Sequence, residues 1–264
     1  MRFGLGLAAL WWLLALVATA PGDDRLSSTI AKSQGAIGQS LPDLALTGAD
    51  GGTIALERFR GKPLLVSLVY TGCADVCPLV VENLAAADRV AEATFGRDSF
   101  NILTVGFDTK RDTPERMRSF ARQHRAGGGN WLFAAADATT IDRLASAVGF
   151  DFVASAGGFD HPAQVTVVDK EGRVYSQIYG GSFAIPAIVE PLKSLIYGGS
   201  RPVFSLAGLG DRIKLICTVY DPRTGRYYFD YSIILSAFIG ASCLALAFHF
   251  LVRELRKSTR AGRV

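Results

Sequence analysis

The sequence predicts an α/β sandwich, and three observations carry this prediction. Residues 63–70 (PLLVSLVY) form a continuous apolar run of strand length, as expected for a strand buried on both faces of a sheet. Residues 78–95 then place apolar side chains at helical spacing, and residues 101–107 (NILTVGF) return to strand character. The chain therefore contains a β-α-β unit.

The segments on either side of this unit extend the alternation. Residues 41–57 place two short apolar runs around Ala-Asp-Gly-Gly, which is typical of a hairpin. The stretch RDTPERMRSFARQH predicts a helix, with Asp112 or Thr113 as its N-cap and Pro114 at its first position. Residues 131–135 predict a further strand and residues 139–150 a further helix.

The last predicted elements close the sheet. Residues 163–169 and 173–180 predict a pair of strands around the turn Lys-Glu-Gly, and residues 184–198 predict a helix. A central sheet that alternates with helices and ends in a hairpin is a sandwich of thioredoxin type.

Two apolar segments bracket the predicted sandwich. Residues 3–20 end in Ala-Thr-Ala, which closes a signal peptide, but Pro21 can block cleavage, so residues 1–21 are a signal peptide or an N-terminal anchor. Residues 231–252 carry no formal charge and are long enough to cross ~30 Å of hydrocarbon as a helix. The basic tail, residues 253–264, is expected in the cytoplasm by the positive-inside rule. The main domain is then expected on the periplasmic side of a bacterial cytoplasmic membrane.

The remaining divisions of the chain follow from composition. Small polar residues predict a tether over 22–37, and the sandwich takes 38–198. Residues 199–230 form a membrane-proximal segment, with a short hairpin predicted around Asp-Pro-Arg-Thr-Gly. The formal charge of +4, from 28 basic and 24 acidic residues, is too mild to indicate a nucleic-acid partner.

A cysteine pair, TGCADVCP at residues 71–78, follows the buried strand directly. Proline is favoured in the first turn of a helix, which predicts that Pro78 begins the helix and that Cys77 is its cap. The positive end of a helix dipole favours thiolate over thiol. Because both metal binding and disulfide exchange need thiolates, the spacing of Cys73 and Cys77 leaves both possibilities open. A purely structural disulfide is less favoured, since closing so short a loop removes little chain entropy.

A third candidate ligand is His161, directly before a strand of the same sheet. Functional groups of α/β sheets collect where loops meet strand ends, which can bring His161 to the cysteine loop. Two thiolates and an imidazole suit copper, whereas zinc usually takes a fourth ligand. Asp75 and Asp160 are candidates to steer a cation or to orient His161.

The other histidines and cysteines have simpler interpretations. His124 and His249 receive no ligand role. Cys217 is interpreted as a buried apolar residue in preference to an additional copper-handling thiol. Cys243 falls inside the predicted transmembrane segment.

TGCADVCP resembles the CPDxCP-type signature of the Sco/SenC family, copper chaperones for cytochrome c oxidase, and Asp160-His161 resembles the family's Asp-His pair. The resemblance continues through GFDTKRDTPERMRSFARQH and covers about residues 38–198. It implies a thioredoxin-like fold, copper bound as Cu(I) or Cu(II) by Cys73, Cys77 and His161, and a cytochrome c oxidase subunit or another copper-handling protein as partner.

Two functional classes remain open from the sequence. The first is a membrane-tethered copper chaperone, which is not an enzyme and which delivers copper to the oxidase or matures its copper site. The second is a thiol-disulfide oxidoreductase that uses Cys73 and Cys77 as a redox pair to reduce partner cysteines. A dedicated oxidoreductase more usually carries Cys-x-x-Cys and does not need an imidazole ligand, which favours the chaperone.

Overall fold

The computed structural model of the chain describes residues 23–155, 157–198 and 206–261. The predicted signal peptide or anchor, residues 1–21, lies outside the described residues, as does the end of the basic tail. The predicted alternation of strands and helices is confirmed over residues 41–198.

A seven-stranded sheet forms the centre of the domain. Seven strands form this sheet: β1 (Ala45–Gly48), β2 (Thr53–Ala55), β3 (Leu64–Val69), β4 (Asn101–Gly106), β5 (Trp131–Ala135), β8 (Gln164–Val168) and β9 (Val174–Tyr179). Two more, β6 (Val153–Ser155) and β7 (Gly158–Asp160), form a separate short hairpin. The order in the sheet is β2-β1-β5-β4-β3-β8-β9, and β6 pairs with β7 alone. The central strands β3, β4 and β5 are parallel, and the outer strands are antiparallel to their neighbours. All six residues of β3 are buried, as the continuous apolar run predicts.

Seven α-helices accompany the strands in the described part of the chain. They are α1 (Asp23–Gly35), α2 (Val76–Phe95), α3 (Pro114–Gln123), α4 (Ala138–Ala147), α5 (Ile185–Tyr197), α6 (Leu206–Cys217) and α7 (Ser232–Ala261). Helices α2 and α5 pack against each other, and α3 packs against β5. At the start of α3, Thr113 accepts a hydrogen bond from the Arg116 amide at 3.3 Å and Pro114 takes the first position, as predicted.

The beginning of α2 differs from the prediction. Asp75 is the N-cap, so Cys77 lies within the first turn and Pro78 is the third helical residue. The helix begins before Pro78 because every N–H group of a first turn lacks a partner within the helix, so proline fits each of these positions. Proline therefore indicates the first turn without fixing its first residue.

The predicted tether is the largest difference. Helix α1 occupies most of residues 22–37 and packs on the domain, with Ser33 fully buried. The Ser33 hydroxyl donates to the Gln164 side chain at 2.8 Å and accepts from the Tyr179 hydroxyl at 2.9 Å. The approach of α1 is close, since a Cβ at Gly149 would lie 2.7 Å from the Ser33 Cα. Small polar residues here serve a tight, hydrogen-bonded contact with the sheet, which composition alone does not separate from a solvated linker.

The chain after α5 forms a helix, a hairpin and a long apolar helix. The predicted hairpin is present as β10 (Thr218–Asp221) and β11 (Arg226–Phe229), whereas the apolar residues before it form α6 and not a strand. Within α7, the stretch Ser232–Phe250 has a mean hydropathy of 2.1 and none of it is buried. This helix is long and apolar enough to cross a membrane, and a core helix of the same length would be buried.

Candidate metal centre

The cysteine loop, residues 70–75, joins β3 to α2 and is held by a buried carboxylate. Asp112 accepts hydrogen bonds at Oδ1 from the amide and the hydroxyl of Thr71, at 2.9 and 2.7 Å. Its Oδ2 accepts from the Asp108 amide at 2.9 Å. Asp112 therefore joins the loops that follow two neighbouring parallel strands, β3 and β4, and fixes the position of the cysteines.

The two sulfur atoms have unequal surroundings. Cys73 is half-buried, whereas Cys77 is 2% exposed, and the Cys77 amide donates to the Cys73 Sγ at 3.4 Å. Burial raises the pKa of the Cys77 thiol far above its usual value. Burial acts in the same direction at Cys73, but hydrogen bonds from the amides of Cys77 and Asp75 outweigh it, so the pKa of Cys73 lies below its usual value. Cys73 is the sulfur that ionises first.

His161 lies in the loop between β7 and β8, with its Nε2 atom 3.8 Å from the Cys77 Sγ. Its Nδ1 atom lies 3.0 Å from the Pro162 carbonyl oxygen, which can only accept, so Nδ1 carries the proton. Burial lowers the pKa of His161, which keeps the imidazole neutral. The lone pair of Nε2 therefore faces the cysteines, as a metal ligand requires.

The three ligand atoms lie within 4.8 Å of one another and could hold one metal ion. Within the described ranges, no other group of three histidine, cysteine or acidic side chains converges in this way. The donor set is soft and compact, which fits copper better than the hard cations.

The two predicted supporting acids lie beside the centre without contacting its ligands through their carboxylates. Asp75 is exposed, and its contribution is the backbone amide that faces Cys73. The Asp160 carboxylate is 60% exposed and pairs with Arg25 at 2.9 Å. His161 is oriented instead by the hydrogen bond that its Nδ1 donates to the Pro162 carbonyl.

An aromatic wall around His161 was not identified from the sequence. The rings of Tyr70, Phe107 and Phe150 lie 5.3 to 5.6 Å from the imidazole, centroid to centroid. Burial and the neighbouring Cys73 raise the pKa of Tyr70. In the sequence, Tyr70 ends the apolar run of residues 63–70, and nothing there distinguishes it from an ordinary strand residue.

The remaining histidines and cysteines lie away from the centre. His124 bonds to Glu82 at 3.1 Å, and His249 is in α7. Cys217 is 2% exposed, in agreement with its interpretation as a buried apolar residue, and Cys243 is exposed on α7.

The geometry can be compared with known proteins. The family model described as SCO1/SenC matches residues 38–197, more than half of the chain. The chain belongs to the SCO1/SenC family. The fold and the resemblance predicted from the cysteine motif are thereby confirmed.

Among relatives of this SCO1/SenC protein, the human protein SCO2 homolog, mitochondrial, is 32% identical over 120 residues, which cover 46% of this chain and 44% of the relative. The matches span about half the length of the first curated relatives. The structure of BsSco, "a member of the Sco family of cytochrome c oxidase assembly proteins" with "a disulfide switch", matches with a TM-score of 0.54 at 18% identity, over 60% of this chain and 94% of that one. Arabidopsis thaliana ScoI with copper bound matches with a TM-score of 0.51 at 16% identity, over 57% and 94%. These structures share the thioredoxin-like fold, and the ScoI structure contains copper.

Proposed function

We propose that this protein is a membrane-tethered copper chaperone, which delivers copper to a respiratory cytochrome c oxidase or matures its copper site. One observation carries the proposal: two thiols and the unprotonated nitrogen of a neutral imidazole lie within 4.8 Å of one another at the start of α2. The family's association with copper and with oxidase assembly supports the choice of metal and of recipient.

Each proposed ligand has a distinct part in holding the cargo ion. Cys73 is half-buried and ionises most readily, so it is the first contact for an incoming ion and the last for a leaving one. Cys77 keeps its proton when the site is empty, so copper binding releases that proton. His161 is held in the binding tautomer by Pro162 and completes the set. Transfer to a partner is ligand exchange, with no covalent change in a substrate.

A thiol-disulfide oxidoreductase is the second candidate, favoured by the proximity and unequal acidity of Cys73 and Cys77. The disulfide switch named for BsSco belongs to a protein of the same fold. The chaperone remains the better account because a redox pair does not require a neutral imidazole with its lone pair aimed at the sulfurs.

The location follows from the apolar helix. We place the Ser232–Phe250 stretch of α7 in the membrane, residues 253–264 in the cytoplasm and the 38–198 domain on the opposite side of the membrane, in accord with the charge of the tail. The oxidising conditions outside the cytoplasm make the redox state of the cysteine pair a control on copper binding.

The proposal is tested by titrating the reduced chain with Cu(I) and with Cu(II). We expect one ion per chain, no binding by the form with a Cys73–Cys77 disulfide, and no binding by Cys73→Ser/Cys77→Ser. Cys217→Ser is the matched control and should bind as the wild type does. Undiminished copper binding by the disulfide form would contradict the assignment.

A further inference from the structure

We infer that α7 leaves the domain at the end opposite the metal centre, so that the centre faces away from the bilayer. The inference rests on the membrane attachment in the proposed function and adds the orientation of the centre.

Helices α2 and α5 define the long dimension of the domain. The metal centre is at the start of α2, whose 20 residues span about 30 Å. Helix α5 runs in the same direction. Near their beginnings, Asn83 donates to the Gly181 carbonyl at 3.0 Å, and at their far ends the rings of Phe95 and Tyr197 lie 5.7 Å apart.

The C-terminal segment attaches at this far end. The ammonium group of Lys214, in α6, lies 5.7 Å from the ring of Tyr197. The Asp230 amide donates to the Cys217 carbonyl at 2.7 Å, so the two ends of the β10–β11 hairpin meet. Helix α7 begins at Ser232, directly after this junction, and therefore starts beside the ends of α2 and α5.

A partly buried polar cluster joins the hairpin to α5. The ammonium group of Lys193, whose side chain is 10% exposed, lies 2.7 Å from Glu190 and donates to the Thr218 carbonyl at 2.9 Å. The Tyr227 hydroxyl donates to the other oxygen of Glu190 at 2.8 Å. Undocking the hairpin would leave the largely buried Lys193 ammonium without its bond to the Thr218 carbonyl, which favours one arrangement over a flexible connection. The membrane helix is thus joined to the domain by a docked element.

Apolar side chains are exposed around the centre. Leu79 in the first turns of α2 and Val153 on β6 are 44% and 49% exposed, and Leu26 of α1 is 57% exposed beside the cavity that includes His161. These apolar side chains lie on the end of the domain that faces away from the attachment of α7.

The beginning of the described chain is at the same end as the centre, because Arg25 of α1 pairs with Asp160. A chain that kept residues 1–21 in the bilayer would draw the metal centre toward the membrane. The two possible anchors therefore predict opposite orientations, and a depth measurement separates them.

The test places a nitroxide label at each end of the full chain in phosphatidylcholine–phosphatidylglycerol nanodiscs that contain a nickel-chelating lipid. In a Cys73→Ser/Cys77→Ser/Cys243→Ser background, Asp98→Cys marks the end beside Phe95 and Ala154→Cys marks the metal end; both positions are exposed. Paramagnetic nickel at the headgroups should broaden the signal at position 98 and leave the signal at position 154 unchanged.

Broadening at position 154 alone, or equal broadening at both positions, would overturn the inference. No broadening at either position, with the chain absent from the discs, would overturn it together with the membrane attachment. Copper titration of the wild-type chain is a separate measurement. If the chain did not bind copper but nickel broadened the signal at position 98 alone, the proposed function would be contradicted and the orientation supported.

Discussion

At the scale of single residues, the centre is defined by how differently the protein treats two cysteines that are four positions apart. Amide hydrogen bonds reach Cys73 from the first turn of α2, while Cys77 is packed into the core. The dipole argument from sequence assigns a lowered pKa to both sulfurs, because burial cannot be read from the motif. Burial reverses the outcome at Cys77.

This asymmetry predicts selective alkylation. A thiol with a lowered pKa is ionised at lower pH, so Cys73 should react with iodoacetamide first, with a rate midpoint on the acid side of a free cysteine. Cys77 should remain unmodified through neutral pH. Peptide mapping by mass spectrometry across pH, with N-acetylcysteine as the reference thiol, measures both rates; equal rates at the two positions would count against the account.

The sequence identified three candidate ligands, which the structure brings together, but it did not identify their surroundings. Cysteine spacing and a histidine before a strand identify Cys73, Cys77 and His161 as candidates. The rings of Tyr70, Phe107 and Phe150 come from three separate segments of the chain, so no local periodicity in the sequence indicates that they meet at His161. The Pro162 carbonyl, and not Asp160, orients His161. The sequence does not indicate this, because every residue has a backbone carbonyl.

At the scale of elements, the sequence predicted the long buried strands and the capped helices correctly. It did not predict the contacts that are made through polar side chains. Helix α3 has its cap and proline where the pattern puts them. Helix α1 has few large apolar residues and is held by Ser33, Gln34 and their partners on β8 and β9. Hydropathy therefore underestimated the order of residues 22–37.

The docking of α1 can be tested with one hydroxyl. Ser33→Ala removes the donor to Gln164 and the acceptor for Tyr179, both in a buried position, and should lower the free energy of unfolding by about 1–2 kcal/mol. Ser28→Ala, on the exposed side of the same helix, is the matched control and should stay within about 0.5 kcal/mol of the wild type. Chemical denaturation of both variants makes the comparison. Equal changes in the free energy of unfolding for the two variants would contradict the docking of α1 and favour a tether.

At the scale of the whole molecule, the SCO1/SenC domain is followed by α6, a docked hairpin and the long apolar helix α7. The sequence predicted the apolar helix from its length and the hairpin from its turn residues. It gave no sign of where this attachment lies relative to the metal centre, because that depends on the contacts of Lys193, Glu190 and Tyr227 across the fold.

The proposed topology predicts a protease pattern. In cells with a permeabilised outer envelope, added protease should digest the 38–198 domain, and a tag attached after Val264 should survive, because the basic tail is held inside. Immunoblots against the domain and the tag report both results. Digestion of the tag together with the domain would contradict the proposed orientation.

The copper affinity of His161→Ala tests the central claim most directly, measured beside His124→Ala as the matched control. Without the imidazole, two thiolates can still hold Cu(I) linearly but do not stabilise Cu(II). We predict that His161→Ala weakens Cu(II) binding by more than the ~10- to 100-fold expected of a supporting residue, with a smaller effect on Cu(I). His124, bonded to Glu82 away from the centre, should be replaceable without change in either affinity. Wild-type affinities in His161→Ala, together with a collapse of its disulfide reductase activity, would contradict the copper centre and establish His161 as a partner of the thiols.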